Sequence, residues 1–249
     1  MILFIRQILF NIAFYGMTVV CCLVLLPFTL LPRKIYVVFL TMYFQLVHIL
    51  EKYILGLDFE IRGAENIPKD GAFIVAAKHY SAYETMKPHV LFRDPAIIMK
   101  KELQFIPIWG LLAMKARMIF INRGSREVAL QSIVDGAKRI RDEGRPLVIF
   151  PQGTRVSVDD TVEKRPYKGG IIRMYEASGM PILPLAMNSG LFWEKKAFFK
   201  YPGTVIFEFL PVIPAGLDGK VVMEQLKTGI EAASARLVTE ERERRACKD

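Results

Sequence analysis

The 249-residue chain has only three cysteines. Cys21 and Cys22 are adjacent inside an apolar run, and Cys247 lies in a charged tail. An odd count without regular spacing excludes a disulfide framework, and adjacent thiols lack metal-site spacing; the part outside the apolar run is expected to face a reducing compartment. The chain also lacks a P-loop, a G-x-G-x-x-G, an H-E-x-x-H, a C-x-x-C and a G-x-S-x-G elbow. No nucleotide cradle, metalloprotease centre or serine nucleophile is therefore expected, and no metal or cofactor. Without a helix-turn-helix, zinc-finger or RNA-binding signature, nucleic acid is not an expected partner. Internal repeats and low-complexity segments are absent too.

What the chain has in abundance is apolar character and positive charge. Hydrophobic residues make up 52%, mean hydropathy is +0.27 and the formal charge is +9. Some apolar surface is expected to meet lipid, and the basic balance suits an anionic membrane surface or phosphorylated substrate. Ile8 to Leu31 is 24 residues without a charge. At about 1.5 Å per residue this can cross a hydrocarbon core of roughly 30 Å. A second apolar segment, Ile35 to Leu50, is 16 residues long and rich in aromatics. Residues 1–55 read as a helical hairpin that anchors the chain. A cleaved signal peptide is the alternative, but the run is too long and no small-x-small cleavage site follows. Arg6 precedes the first segment, and Arg33 and Lys34 follow it. Charge therefore gives no orientation, and crossing the bilayer or lying in one leaflet both remain open.

Residues 56–249 read as a globular α/β domain. Leu57–Arg62 is an opening strand. Short runs rich in Ile, Val and Phe follow at Phe73–Ala77, Ala96–Met99, Met118–Asn122, Leu147–Phe150, Ile182–Ala186 and Thr204–Leu210. Such runs fit strands buried on both faces. Helices are expected at Glu102–Lys115, at Arg126–Glu143 between a Ser125 cap and a Gly144 stop, at Lys168–Ser178 and at Val221–Arg244. The expected fold class is α/β, with a largely parallel or mixed central sheet covered by helices and preceded by the two-helix anchor.

Chemistry-bearing residues fall just past strand candidates. His79 follows the first buried run, with Glu84 five positions on. Arg123 follows Phe120-Ile121-Asn122, and Arg155 ends Phe150-Pro151-Gln152-Gly153-Thr154-Arg155. In open α/β sheets, loops after strand C-termini line the binding crevice. Parallel neighbouring strands would bring a base and two guanidiniums to one rim. Arginine matches phosphate oxygens two at a time, and Gly153 lets backbone N–H groups approach an anion. A histidine steadied by a carboxylate can deprotonate a hydroxyl. A thiol of pKa near ~8.5 leaves readily, so a thioester donor needs no enzyme nucleophile.

In these residues the chain resembles the 1-acylglycerol-3-phosphate acyltransferases of the glycerolipid acyltransferase superfamily. Four ordered blocks carry the resemblance: His79 to Glu84, Phe120 to Arg123, Phe150 to Arg155 and Pro181 to Ala186. It runs from about Gly56 to Pro214, and the hairpin fits membrane-bound bacterial members. The resemblance implies that His79 acts as general base on the sn-2 hydroxyl of lysophosphatidic acid, oriented by Glu84. Arg123, Gly153, Thr154 and Arg155 would hold the phosphate. Pro181, Ile182 and Pro184 would shape the acyl-donor side. The donor would be acyl-CoA or acyl carrier protein, the product phosphatidic acid. The implied location is a bacterial inner (cytoplasmic) membrane with the catalytic domain on the cytoplasmic side. Two departures stand out: Glu84 replaces the family's aspartate, and Gln152 its glutamate. The second admits a different lysolipid acceptor.

Plainer readings stand beside these. Ser81-Ala82-Tyr83-Glu84 is a capping box, so Glu84 can serve the Ser81 backbone as well as His79. Its helix is expected to break near Pro88. His48 is expected to pack in the hairpin, and His89 has no evident partner. The Met99–Lys101 group reads as solvated or headgroup-facing charge. Phe105–Leu112 reads as an acyl groove, core or membrane contact, and Lys164–Lys168 as a surface loop or a phosphate contact. A non-catalytic lipid-binding module is the reading that dispenses with catalysis.

Overall fold

The computed structural model describes residues 1–122, 124–195 and 197–247, with only the backbone of residue 126. Two long helices come first, α1 (Ile2–Phe28) and α2 (Arg33–Leu50). A π-helical turn, Glu51–Leu55, extends α2 and ends at Gly56, whose φ of 70° favours glycine. There follow β1 (Leu57–Arg62), β2 (Ile74–Ala77), the one-turn helices α3 (Tyr83–Met86) and α4 (Pro88–Leu91), and β3 (Ala96–Lys100). Next come α5 (Trp109–Lys115), β4 (Ile119–Ile121), α6 (Arg126–Asp142) and β5 (Leu147–Ile149). The chain closes with α7 (Gly170–Ser178), β6 (Ile182–Met187), β7 (Gly203–Phe209) and α8 (Gly219–Ala246).

The seven strands form one sheet in the order β1-β7-β6-β2-β5-β3-β4. The run from β6 to β4 is parallel; β7 turns antiparallel to β6 and carries β1 parallel to itself. The mixed α/β class expected from the sequence is the one observed. β2 lies in the middle, with Ile74 opposite both Leu147 and Ile182. Its C-terminal end therefore opens between the loops that follow β5 and β6.

Side chains alternate across a strand, so each face has its own core. Ile74 and Ala76 point to one face, packed with Ile133, Ile171 and Ile230 of α6, α7 and α8. Val75 and Ala77 point to the other, whose core includes Phe10, Leu25, Tyr36 and Leu40 of the hairpin. The hairpin is therefore a covering layer of the sheet. Gln7 meets the Lys200 backbone in a reciprocal pair, donating to its carbonyl at 2.8 Å and accepting from its N–H at 3.0 Å. Arg33 forks onto Asp94 at 2.6 and 2.8 Å, and the Tyr36 hydroxyl donates to the Leu112 carbonyl at 2.8 Å.

The expected helix over Glu102–Lys115 forms in two pieces, a 3-10 turn at Lys101–Phe105 and then α5. Pro107 explains the break, since it drives Ile106 to extended backbone (ψ 121°). Helix α7 starts at Gly170 rather than Lys168, whose N–H bonds the Pro151 carbonyl at 2.9 Å. Ser125 caps α6 through the Val128 N–H, as expected.

Candidate active site

His79 stands two residues beyond the end of β2. Its imidazole stacks on the Phe150 ring, 4.1 Å between centroids and 22° between planes, and Phe150 immediately follows β5. The Val156 N–H donates to the His79 carbonyl at 2.8 Å, tying the two loops together. Parallel neighbours thus deliver a base and the Phe150–Arg155 segment to one rim.

Glu84 is buried beneath the imidazole. Its Oε1 lies 3.0 Å from His79 Nδ1 and accepts from the backbone N–H groups of Tyr80 and Ser81, each at 2.5 Å. Its Oε2 accepts from the hydroxyls of Ser81 at 2.8 Å and Ser189 at 3.0 Å. One carboxylate therefore holds the imidazole and the turn that presents it. Burial pushes this carboxyl up, but the His79 hydrogen bond and charge and the backbone donors outweigh burial and leave it below the usual carboxylate range. An ionised carboxylate only accepts, so Nδ1 carries the proton and Nε2 is left as the basic nitrogen.

Both nearby loops border a cavity of about 1250 Å³. His79, Gly153, Thr154 and Arg155 lie in its wall. One apolar side is formed by Phe14, Leu25, Leu40 and Phe44 of the hairpin, another by Ile121, Leu130 and Ile133 around α6. Trp109 and Leu112 of the Phe105–Leu112 run line it, while Phe105 is exposed. Gly153 adopts φ +67°, and a Cβ built there would sit 3.1 Å from Lys168 Nζ. Gly153→Ala is expected to cost about 1–2 kcal/mol from the left-handed backbone alone, and to displace Lys168. Thermal denaturation and the acceptor KM of the variant check this.

The sequence-predicted residues do not all converge. Arg123 lies outside the described residues. Pro181 and Ile182 sit at the start of β6, the edge opposite His79, and Ile182 and Pro184 pair with Ile74 and Ala76 in the sheet. None of the three reaches the cavity wall; β6 reaches the site through Ser189, just past its end. Gln152 is buried outside the cavity wall, its amide donating to the Arg165 carbonyl at 3.1 Å. His48 faces Lys87 and Asp58 near the hairpin's end. Buried His89 stacks on Phe44 at 4.4 Å; burial, with Arg145 and Arg33 nearby, pushes it down to about 3, so it stays neutral. Among the described residues no cluster of His, Cys, Asp and Glu is placed to hold a metal.

Sequence reasoning missed Phe150 as the platform for His79 and Ser189 as a partner of Glu84. The strand-end rule that singled out His79 and Arg155 also applies to Ser189, two residues past β6.

A family model described as Acyltransferase matches residues 58–188. The chain belongs to this acyltransferase family. The chain is similar to the 1-acyl-sn-glycerol-3-phosphate acyltransferase of Pseudomonas aeruginosa, 30% identical over 183 residues, covering 74% of this chain and 70% of that one. It is also similar to the Borreliella burgdorferi protein of the same name, 32% identical over 163 residues, 65% of this chain and 64% of the other. Among solved structures, it resembles the 1-acyl-sn-glycerophosphate (LPA) acyltransferase PlsC of Thermotoga maritima. That match has a TM-score of 0.72 and 26% identity, and covers 96% of this chain and 97% of the other. Coverage of 96% of this chain takes in most of the hairpin as well as the sheet.

Proposed function

We propose that this acyltransferase moves a fatty acyl group from a thioester, acyl-CoA or acyl carrier protein, to the sn-2 hydroxyl of 1-acylglycerol-3-phosphate, giving phosphatidic acid. The observation that carries the reading is the His79–Glu84 pair facing a largely apolar cavity that also holds Arg155. With Nδ1–H committed to Glu84, Nε2 takes the proton of the acceptor hydroxyl. The oxygen attacks the thioester carbonyl, and the tetrahedral intermediate collapses with loss of the thiolate, which takes the proton back from the imidazolium. Ester forms, thioester breaks, and no enzyme nucleophile is consumed. Gly153, Thr154 and Arg155 receive the phosphate, with Arg123 a further candidate. Relatives named for this reaction support it.

Gln152 lies outside the cavity wall and donates to the Arg165 carbonyl, so any influence it has on the acceptor runs through the segment that leads to Lys168.

Two helices, Ile2–Phe28 and Arg33–Leu55, are long and apolar enough to cross a membrane. Their outward residues, among them Ile5, Leu9, Ile12, Leu23 and Val38, are exposed. Contacts to the α/β body at Gln7 near one end of α1 and at Arg33 just past the other hold the helix along that body. We therefore read residues 1–55 as an anchor whose outward face meets lipid in one leaflet. We propose a bacterial inner membrane as its location, with the site on the cytoplasmic side.

Arg155→Ala is expected to raise KM for 1-acylglycerol-3-phosphate about tenfold, the scale of one charge-assisted contact, with a smaller change in kcat. Steady-state kinetics with several lysolipids in parallel test both the acceptor and the arginine. Equal use of an acceptor without phosphate would remove the reading.

A further inference from the structure

Glu231 of α8 stands outside the cavity but touches both loops that build it. One oxygen accepts from Lys78 Nζ at 2.6 Å, the other from the Tyr167 hydroxyl at 2.9 Å. Lys78 immediately precedes His79, and Tyr167 immediately precedes Lys168. Lys78 is buried, so Glu231 is also what makes its charge tolerable there. Burial and the neighbouring carboxylate push the Tyr167 phenol far up, which keeps it protonated as the donor.

Lys168 is the product of this arrangement. It lines the cavity with Arg155, and its ammonium lies over the face that Gly153 leaves bare. Lys168 forms no ion pair among the described residues, whereas buried Lys78, Lys87 and Arg145 each meet a carboxylate. Its segment is fixed at three points: the Lys168 N–H on the Pro151 carbonyl, the Gln152 amide on the Arg165 carbonyl, and Tyr167 on Glu231. A cation held against a glycine turn at the cavity wall, with Arg155 on the same wall, is placed to meet an anion that lies in the cavity.

We propose that Lys168 binds the acceptor's phosphate alongside Arg155, and that Tyr167 and Glu231 are positioning residues that hold it there, linking the phosphate-binding segment to the loop that carries His79. The inference rests on the phosphorylated acceptor proposed above. Gln152 acquires a place in it: as an amide it donates to a carbonyl, which the carboxylate of a glutamate cannot do.

The test is steady-state kinetics of the full-length protein in detergent micelles, with 1-acylglycerol-3-phosphate as varied substrate. Lys168→Gln is expected to raise KM about tenfold with kcat within about twofold, while Lys168→Arg stays close to wild type. Tyr167→Phe is expected to raise KM about threefold, the scale of one lost hydrogen bond. Glu231→Gln, which also strips buried Lys78 of its carboxylate, is expected to raise KM at least as much and to lower the denaturation midpoint. In a Lys168→Gln background, Tyr167→Phe is expected to add nothing, because it acts only through the lysine. Additive effects in the double variant, or an unchanged KM in Lys168→Gln, would overturn the inference. Wild-type protein that transfers to no phosphorylated lysolipid would instead remove the function on which it rests. All four substitutions keep side-chain size, and thermal denaturation separates a KM change from loss of fold.

Discussion

His79→Ala is expected to reduce acyl transfer by about a thousandfold, within the range for removing a general base. The protein should remain folded and membrane-bound. The imidazole is partly exposed to the cavity, and the Glu84 oxygen it leaves still accepts two backbone N–H groups. The loss should appear in kcat with little change in acceptor KM, since the proposed phosphate site is on the other loop. Wild-type turnover in this variant would remove Nε2 as the base.

Glu84→Gln separates the two duties of the carboxylate. Glutamine is nearly the same shape. Its carbonyl can take the place of Oε1 before the Tyr80 and Ser81 N–H groups, and the Ser81 and Ser189 hydroxyls can rotate to accept from its NH2. The turn should therefore survive, with a stability loss of about 1–2 kcal/mol. What disappears is the negative charge that fixes Nδ1–H and steadies the imidazolium, so turnover should fall about 10- to 100-fold. Glu84→Ala should be worse for the fold, because it strands two buried N–H donors. The pH dependence carries a sign. The Glu84 carboxyl is depressed in the folded protein, so its contribution is fully present above the unfolded carboxyl pKa of about 4.3. It is lost as pH falls below that value through the folded pKa. The wild-type protein should lose stability over that window, and Glu84→Gln should lose less of it. Denaturation midpoints of both proteins between pH 6 and pH 3 check this.

Much of the fold was legible because its signals are local. Buried parallel strands read as short runs of Ile, Val and Phe, and six expected runs match strands to within a residue or two at each end. Pro107 was equally visible, yet its effect on the helix before α5 was overlooked. The reversal of β7 and β1 was not legible, because it depends on which strand edge is left open once β6 has docked on β2. Nor was the hairpin's second role. Phe10, Tyr36 and Leu40 lie in apolar runs that do not tell lipid-facing from buried positions, and only their packing on the sheet makes them core. At the site, His79, Glu84, Gly153 and Arg155 were readable because chain spacing and strand ends place them. Pro181, Ile182 and Pro184, read on the acyl-donor side, lie at or in β6 and off the cavity wall, because a motif marks a strand without saying which of its residues face a ligand. Ser189, 105 residues from Glu84, and Glu231, 153 residues from Lys78, meet their partners only through the sheet and its covering helix.

The measurement that bears most directly on the proposed chemistry is a single-turnover reaction of the purified full-length protein. It uses a thioester labelled in its acyl group, with 1-acylglycerol-3-phosphate, beside the His79→Ala variant. The account predicts label passing straight into phosphatidic acid in the wild type, none on the protein at any time, and almost none transferred by the variant. Label accumulating on the protein before product, or equal transfer without His79, would contradict it.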